Sequence, residues 1–291
     1  KSYGDMGIHL SAYGGHHLVI KTFLDKGIDV DIKGGRFQWT ALINAANYGH
    51  LTSLKLLLDA GADPDLKAED GYTALSRAAI NNYPEIVSEL LRRGANEKIE
   101  YRGKSAQRWA EESGHQDVMK IFQVFSNIEN INTELLTAAG ENKWRLVLGL
   151  IIAGAELETK DRDGDTALHL AAKNGHESVV RVMISQGIDV NIRGWRNRTP
   201  LMTAAANGQH KVAKLLVRRG AGLNLQDRDG WTALRNAALQ GYTSIARDLL
   251  EAGADRDIKD KDNWTALEWA QYRGHSDIIL LLERGNIQAE D

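Results

Sequence analysis

Histidine is the residue of this chain most ready for chemistry: nine imidazoles stand among 291 residues, each a potential general base, proton shuttle or metal ligand near neutral pH. Their spacing speaks against that work. His16, His50, His115, His176 and His275 occupy one recurring place, at or next to a glycine, while His9 and His169 match each other in Ile8-His-Leu10 and Leu168-His-Leu170. Residues that recur in fixed slots serve the framework that recurs. His17 and His210 fit neither slot, and no His-x-x-x-His pair sets two rings one helical turn apart. Asp161-Arg-Asp163-Gly-Asp165 opens like a calcium loop, but that loop needs glycine at its sixth position and glutamate at its twelfth; Thr166 and Ala172 stand there. These carboxylates are better placed near helix N-termini, where negative charge is favourable. Asn197-Arg-Thr199 and Asn263-Trp-Thr265 match the glycosylation acceptor pattern, yet each Asn replaces a turn glycine and each Thr stands as a helix cap. We read both sequons as accidental. The chain has no cysteine, which removes disulfides and thiolate metal sites. No phosphate-cradling glycine loop, nucleophile elbow or paired-carboxylate site stands out. No catalytic residue, metal or cofactor is expected.

The elements behind these slots are repeats. The string from Thr166 to His176 returns every 33 residues, at Thr199, Thr232 and Thr265, and the same Thr slot falls earlier at Met6, Thr40, Thr73, Ser105 and Thr133. Self-similarity at this period marks a solenoid. Each of the nine copies reads as helix, tight turn, helix, loop. The Thr hydroxyl can cap a first helix, and Leu168, Ala171 and Ala172 give that helix one apolar face. Gly175 ends it in the left-handed conformation a C-terminus favours. Val179, Val180 and Met183 supply the second helix. In the first copy Gly4 stands in the turn slot and Met6 in the cap slot, so the chain is expected to begin inside a turn.

Two irregularities interrupt the period. Ser105 to Thr133 spans 28 residues rather than 33, so one loop tip is expected to be missing near 126–131. A slot held by alanine in the other copies is Glu111 in the fourth and Gln271 in the ninth, and both copies carry Trp-Ala-x-x-x-Gly-His, at Trp109–His115 and Trp269–His275. Solenoid ends need a polar outer face. We therefore divide the chain into residues 1–126, copies one to four with a cap-like fourth, and 127–291, copies five to nine with a C-terminal cap and a short tail at 286–291. A single continuous stack lacking one loop tip remains the alternative.

The formal net charge of -3 offers no positive field for nucleic acid. No apolar run approaches a membrane span. The start, Lys1-Ser-Tyr-Gly, has neither an initiator Met nor a signal-peptide core, and reads as a fragment of something longer. Together these features favour an intracellular place, cytoplasm or nucleus, and a monomer.

Thr-Ala-Leu-His-Leu-Ala-Ala-x-x-Gly-His followed by Gly-Ala/Ile-Asp resembles the ankyrin repeat, over about residues 4–285. The resemblance implies an all-α solenoid of stacked helix-turn-helix repeats with β-hairpin-like finger loops. It also implies that the Gly-His imidazoles bond backbone between repeats, and that partners bind on the concave face formed by fingers and first helices. Trp39, Tyr72, Trp195, Arg198, Trp231 and Trp264 then project from fingers, and Tyr48, Arg77, Leu239 and Tyr272 from first helices. Phe37, Arg36 and Tyr13 lie in the same strips, whereas Trp109 and Trp269 are assigned to capping. Trp, Tyr and Arg are the residue types enriched at interface hot spots. The expected function is a non-catalytic scaffold that binds a partner protein or extended peptide. The alternative is the repeat portion of a larger signalling or effector protein, acting as spacer or intramolecular regulator.

Overall fold

Most first helices begin where a hydroxyl can satisfy a free backbone N–H. In the computed structural model, which describes residues 3–126 and 131–283, the Thr40 hydroxyl accepts from the Ile43 amide, Thr73 from Ser76, Thr199 from Met202 and Thr232 from Arg235. The helices so capped are α3 (Ala41–Asn47), α5 (Ala74–Ile80), α13 (Pro200–Ala206) and α15 (Ala233–Gln240). With them as first helices stand α1 (Tyr3–Tyr13), α7 (Ala106–Glu112), α9 (Ile131–Gly140), α11 (Ala167–Asn174) and α17 (Ala266–Arg273). The second helices are α2 (His17–Asp25), α4 (Leu51–Asp59), α6 (Pro84–Arg92), α8 (Gln116–Ser126), α10 (Trp144–Ile152), α12 (Glu177–Ser185), α14 (His210–Arg218), α16 (Thr243–Glu251) and α18 (Ser276–Glu283). Among the described residues these eighteen helices carry the fold, with isolated β-bridges such as Gly34 to Trp39 marking the finger loops. This is the helix-turn-helix solenoid expected.

The chain forms two compact units, residues 1–131 with 145–155, and residues 132–144 with 156–291. Within each, first helices pack on first helices and second helices on second helices, α3 on α1 and α5 for example, and α14 on α12 and α16. Paired alanines make the first layer thin: Ala45, Ala46, Ala78 and Ala79 are wholly buried in the first unit, and Ala171, Ala172, Ala237 and Ala238 in the second. Leu54, Leu57, Ile86 and Leu90 fill the second-helix layer of the first unit, and Val179, Met183, Leu216 and Leu249 that of the second.

Repeat is tied to repeat by hydrogen bonds at fixed slots. The Nε2 of His50 donates to the Tyr13 carbonyl, His115 to Ile80 and His176 to Gly140, each at 2.8 Å, and His275 to Leu239 at 3.1 Å. Gln209, in the same slot, donates its amide to the Lys173 carbonyl. The His275 ring lies against a glycine of the preceding repeat: a Cβ on Gly241 would stand 2.8 Å from it, and the Gly241 φ of 81° also favours glycine. Loop side chains add a second tie, the carboxylate of Asp31 accepting from the Asp63 amide and the amide oxygen of Asn191 from Gly222. His169 works differently. Wholly buried, it accepts from the Thr166 hydroxyl and donates to the Arg198 carbonyl, and burial lowers its pKa, which keeps the ring neutral.

Two expectations are corrected, and a third is not reached. Gly4 and Met6 lie inside α1 rather than in a turn and at a cap. Thr133 lies within α9, which begins at Ile131, so it caps nothing. The expected loss of a finger tip near 126–131 falls mostly on residues 127–130, outside the described residues.

Helix α10 belongs to the first unit and meets α6 closely. The Ser88 hydroxyl donates to the Gly149 carbonyl at 2.7 Å, and a Cβ on Gly149 would stand 3.0 Å from both the Pro84 carbonyl oxygen and Ile121. Glu85 is buried in this contact, its Oε1 3.8 Å from Arg145 Nε and its Oε2 without a partner. Burial raises its pKa from the ordinary 4.5 to about 7, against the pull of its own backbone N–H and of Arg145. The folded chain thus holds a proton that the unfolded chain releases. The stabilisation is full below pH 4.5 and is lost as pH rises through about 7, a swing on the order of 3 kcal/mol. Unfolding by urea at pH 5 and pH 8.5 is expected to give a lower midpoint at the higher pH, and E85Q to remove most of that difference.

Candidate functional site

The fingers and first helices of each unit carry a strip of alternating aromatic rings and guanidinium groups. The fingers are stiffened by aspartates that fold back on their own backbone. The Asp227 carboxylate accepts from the Asp229 and Trp231 amides, and Asp260 from those of Asp262 and Trp264. Asp161 does the same for Asp163 and Asp165, so the supposed calcium loop is a turn. Neighbouring fingers bond to each other, the Glu69 amide donating to the Phe37 carbonyl, and Lys261 to Asp229.

In the first unit Arg77 is the centre. Its guanidinium carbon lies 3.5 Å from the Tyr72 ring centre and 4.5 Å from that of Trp39. The Asp70 carboxylate holds Arg77 at 3.3 Å and accepts from the Trp39 indole at 2.9 Å. Tyr72 continues to Tyr101, and Tyr101 stacks on Trp109. Tyr48 stands apart from this chain of contacts, edge-on to Tyr13 at 4.3 Å.

In the second unit the strip runs from Trp195 to Arg198, to Trp231, to Arg235, to Trp269, and on to Trp264 and Tyr272. Arg235 is the buried member. It lies 3.5 Å from the Trp231 ring and 4.2 Å from the Trp269 ring, and 3.7 Å from the Asp260 carboxylate. Its Nε and one terminal nitrogen have no hydrogen-bond partner. Desolvation lowers its pKa to about 10, against the pull of Asp260 and Asp227; it remains a cation at neutral pH. Such contacts are worth about 2 kcal/mol or more when desolvated.

The structure therefore joins five of the sequence candidates, Trp195, Arg198, Trp231, Trp264 and Tyr272, in one strip, and three more, Trp39, Tyr72 and Arg77, in another. Leu239 joins neither; half-buried, it lends its carbonyl to His275. Exposure separates the candidates further. Trp195 is 44% exposed and Tyr272 69%, whereas Trp231, Trp264, Trp39 and Tyr72 are half-buried against their neighbours. Sequence reasoning missed Arg235, whose signal was an arginine in the slot that holds Ile43, His169 and Met202 in other copies. It also missed Leu10, exposed on α1, and assigned Trp109 and Trp269 to capping although both stack within the strips.

Removing Asp260 tests how the second strip is held. D260A strips acceptors from two backbone amides and from the Trp269 indole, and removes the carboxylate 3.7 Å from Arg235. We expect a loss of about 3 kcal/mol in urea unfolding. R235M, which leaves the carboxylate with its three donors, is expected to cost clearly less.

A family model for ankyrin repeats (3 copies) matches residues 1–68, 45–133, 135–227 and 216–291. A potassium channel of Arabidopsis thaliana, AKT2/3, is 32% identical over 153 residues, 51% of this chain and 19% of the channel. A transient receptor potential cation channel subfamily A member 1 homolog of Caenorhabditis elegans is 30% identical over 163 residues, 54% of this chain and 13% of that protein. The chain thus spans less than a fifth of the length of either relative. Among the described residues no helix is long and apolar enough to cross a membrane.

Proposed function

The chain belongs to the ankyrin-repeat family, whose repeats act as protein-interaction modules, and from that premise we propose that it is a non-catalytic scaffold that binds a partner protein or extended peptide on its finger and first-helix face. The observation that carries this reading is the pair of aromatic and guanidinium strips on that face. Half-buried rings held by neighbours offer large contact area with little rotamer freedom left to lose, and Trp, Tyr and Arg are the types on which binding energy concentrates. Trp195 and Tyr272 are the anchors most open to a partner. Trp39, Tyr48, Tyr72, Arg77, Arg198, Trp231, Leu239 and Trp264 complete the proposed face. The scaffold works without metal, cofactor or nucleic acid, as a monomer inside the cell.

The second reading is that these repeats are part of a longer protein and regulate it from within. It is favoured by the two channel relatives, of which the matching region is 19% and 13%. The length of the full open reading frame tests it: a frame ending close to these 291 residues overturns it.

The scaffold reading is tested by affinity capture. W195A with Y272A is expected to reduce capture of the partner at least about tenfold, with the thermal unfolding curve unchanged because both side chains are exposed. W231A with W264A is expected to weaken capture as well and to lower the melting temperature, since Trp231 covers Arg235. Capture that declines only in parallel with unfolding would make the rings structural and nothing more.

A further inference from the structure

Four large apolar side chains left open to solvent share one groove on the first helices and finger of the first unit. Leu10 is 61% exposed, Tyr13 53%, Phe37 46% and Tyr48 41%, and with Trp39 they line a groove of about 280 Å³. A contiguous apolar patch on a folded surface marks an interaction site far more often than scattered exposed residues do. Its walls are fixed: Tyr13 and Tyr48 meet edge to face at 4.3 Å, and the Trp39 indole N–H is held by Asp70 at 2.9 Å. The groove is formed before anything enters it.

Charge decides what enters. None of the ten lining residues is acidic, and Arg36 is the one with a permanent charge. Among the described residues no carboxylate lies within ion-pair distance of Arg36, whose guanidinium stands 5.4 Å from the Phe37 ring. Glu69 sits on the adjacent finger, with its amide on the Phe37 carbonyl, but outside the lining. An aromatic groove can also attract a cation. Here that capacity is already taken, Phe37 facing Arg36 and Trp39 facing Arg77 at 4.5 Å, so a second cation would meet two guanidinium groups. The second unit offers a contrast: its groove beside Trp195, about 470 Å³, is lined by Asp163, Asp165, Lys173 and Arg198, and has no such one-sided charge.

We propose that the Leu10–Tyr13–Phe37–Trp39–Tyr48 groove takes a bulky apolar side chain of a partner's peptide segment, and that a carboxylate next to that side chain pairs with Arg36. This deepens the scaffold reading and rests on it. The test is a selection of a displayed random dodecapeptide library on the intact chain, followed by titration of the synthesised consensus peptide by fluorescence anisotropy. The expected consensus places Leu, Ile, Phe or Trp within two residues of Asp or Glu. Y48A and F37S should each weaken it at least about tenfold, R36E should weaken it similarly, and K211A, at an exposed position on α14, should leave it unchanged. R36E should also bind more tightly than wild type a version of the peptide with Lys in place of the acid. All four side chains are exposed or at the rim, and circular dichroism checks that the variants fold. A consensus rich in Lys or Arg, or one indifferent to R36E, overturns the proposal. So does sedimentation of the wild-type chain as a dimer that Y48A dissociates, since a second copy would then be the occupant. Peptides lost with W195A and not with F37S would sink the groove and leave the scaffold reading standing, whereas no enrichment at all would count against both.

Discussion

The contact that one repeat makes with the turn ending the first helix of the repeat before it is the constraint on which the rest depends. A unit of about thirty residues cannot bury its apolar face alone, so each must be both complete enough to dock and open enough to be docked upon. The His275–Leu239 and His50–Tyr13 bonds do this by reaching over a glycine, Gly241 and Gly15, whose left-handed backbone follows the preceding first helix. A side chain on that glycine would strike the ring, and a shorter side chain in the slot would strand the carbonyl. The two residues are therefore one device split across two repeats. Tyr83 and Tyr242 occupy the same slot against Gly49 and Gly208, where the ring still packs on glycine. Packing on a glycine thus recurs with and without the hydrogen bond, and where Asn82 and Asn142 hold the glycine place at positive φ, His115 and His176 keep the bond.

With the framework held in this way, the fingers are free to carry side chains that the fold does not need, and the strips are built from those. Their rings are neither free nor sealed. Arg77 and Arg235 sit between aromatic faces and draw carboxylates, Asp70 and Asp260, that also fix an indole or a finger backbone. Each carboxylate thus aligns a cation, a ring and a turn together. The result is a stiff surface, and stiffness reduces what a partner must order on binding. Burial of Arg235 without hydrogen bonds on Nε runs against stability; the aromatic faces and nearby carboxylates offset it.

What could be read from the sequence was whatever acts within a few residues. Thr40, Thr199 and Thr232 cap their helices through amides three positions on, and spacing alone exposes that. Thr133 shared the slot by alignment but sits inside α9, because a repeat aligned across a shortened loop need not keep its cap. The candidate strips were half legible. Periodicity placed Trp195, Trp231 and Trp264 on successive fingers, yet it gave no hint that Trp231 leans on Arg235 and that Arg235 leans on Trp269. Those contacts depend on ring orientation and on a partner 34 residues away. Leu10 and Phe37 were legible as apolar residues but not as two walls of one groove.

The meeting of α6 and α10 breaks the repeat logic, and it left a trace in the sequence. At the outer slot where α6 has Ser88, α4 has Lys55, α12 Arg181, α14 Lys214 and α16 Arg247. Long cations at that slot keep a helix face in water; a serine lets another helix come down on it. Gly149 supplies the matching absence on α10, and the two meet through a hydroxyl-to-carbonyl bond of 2.7 Å. Glu85 shows that this closeness is not cost-free, since its counterparts Thr52, Ser178, Lys211 and Ser244 are all exposed while it is buried with one oxygen unmatched. A small residue facing a glycine, at a slot otherwise given to lysine and arginine, is the pattern expected where a helix face has been turned from a solvated surface into a docking surface.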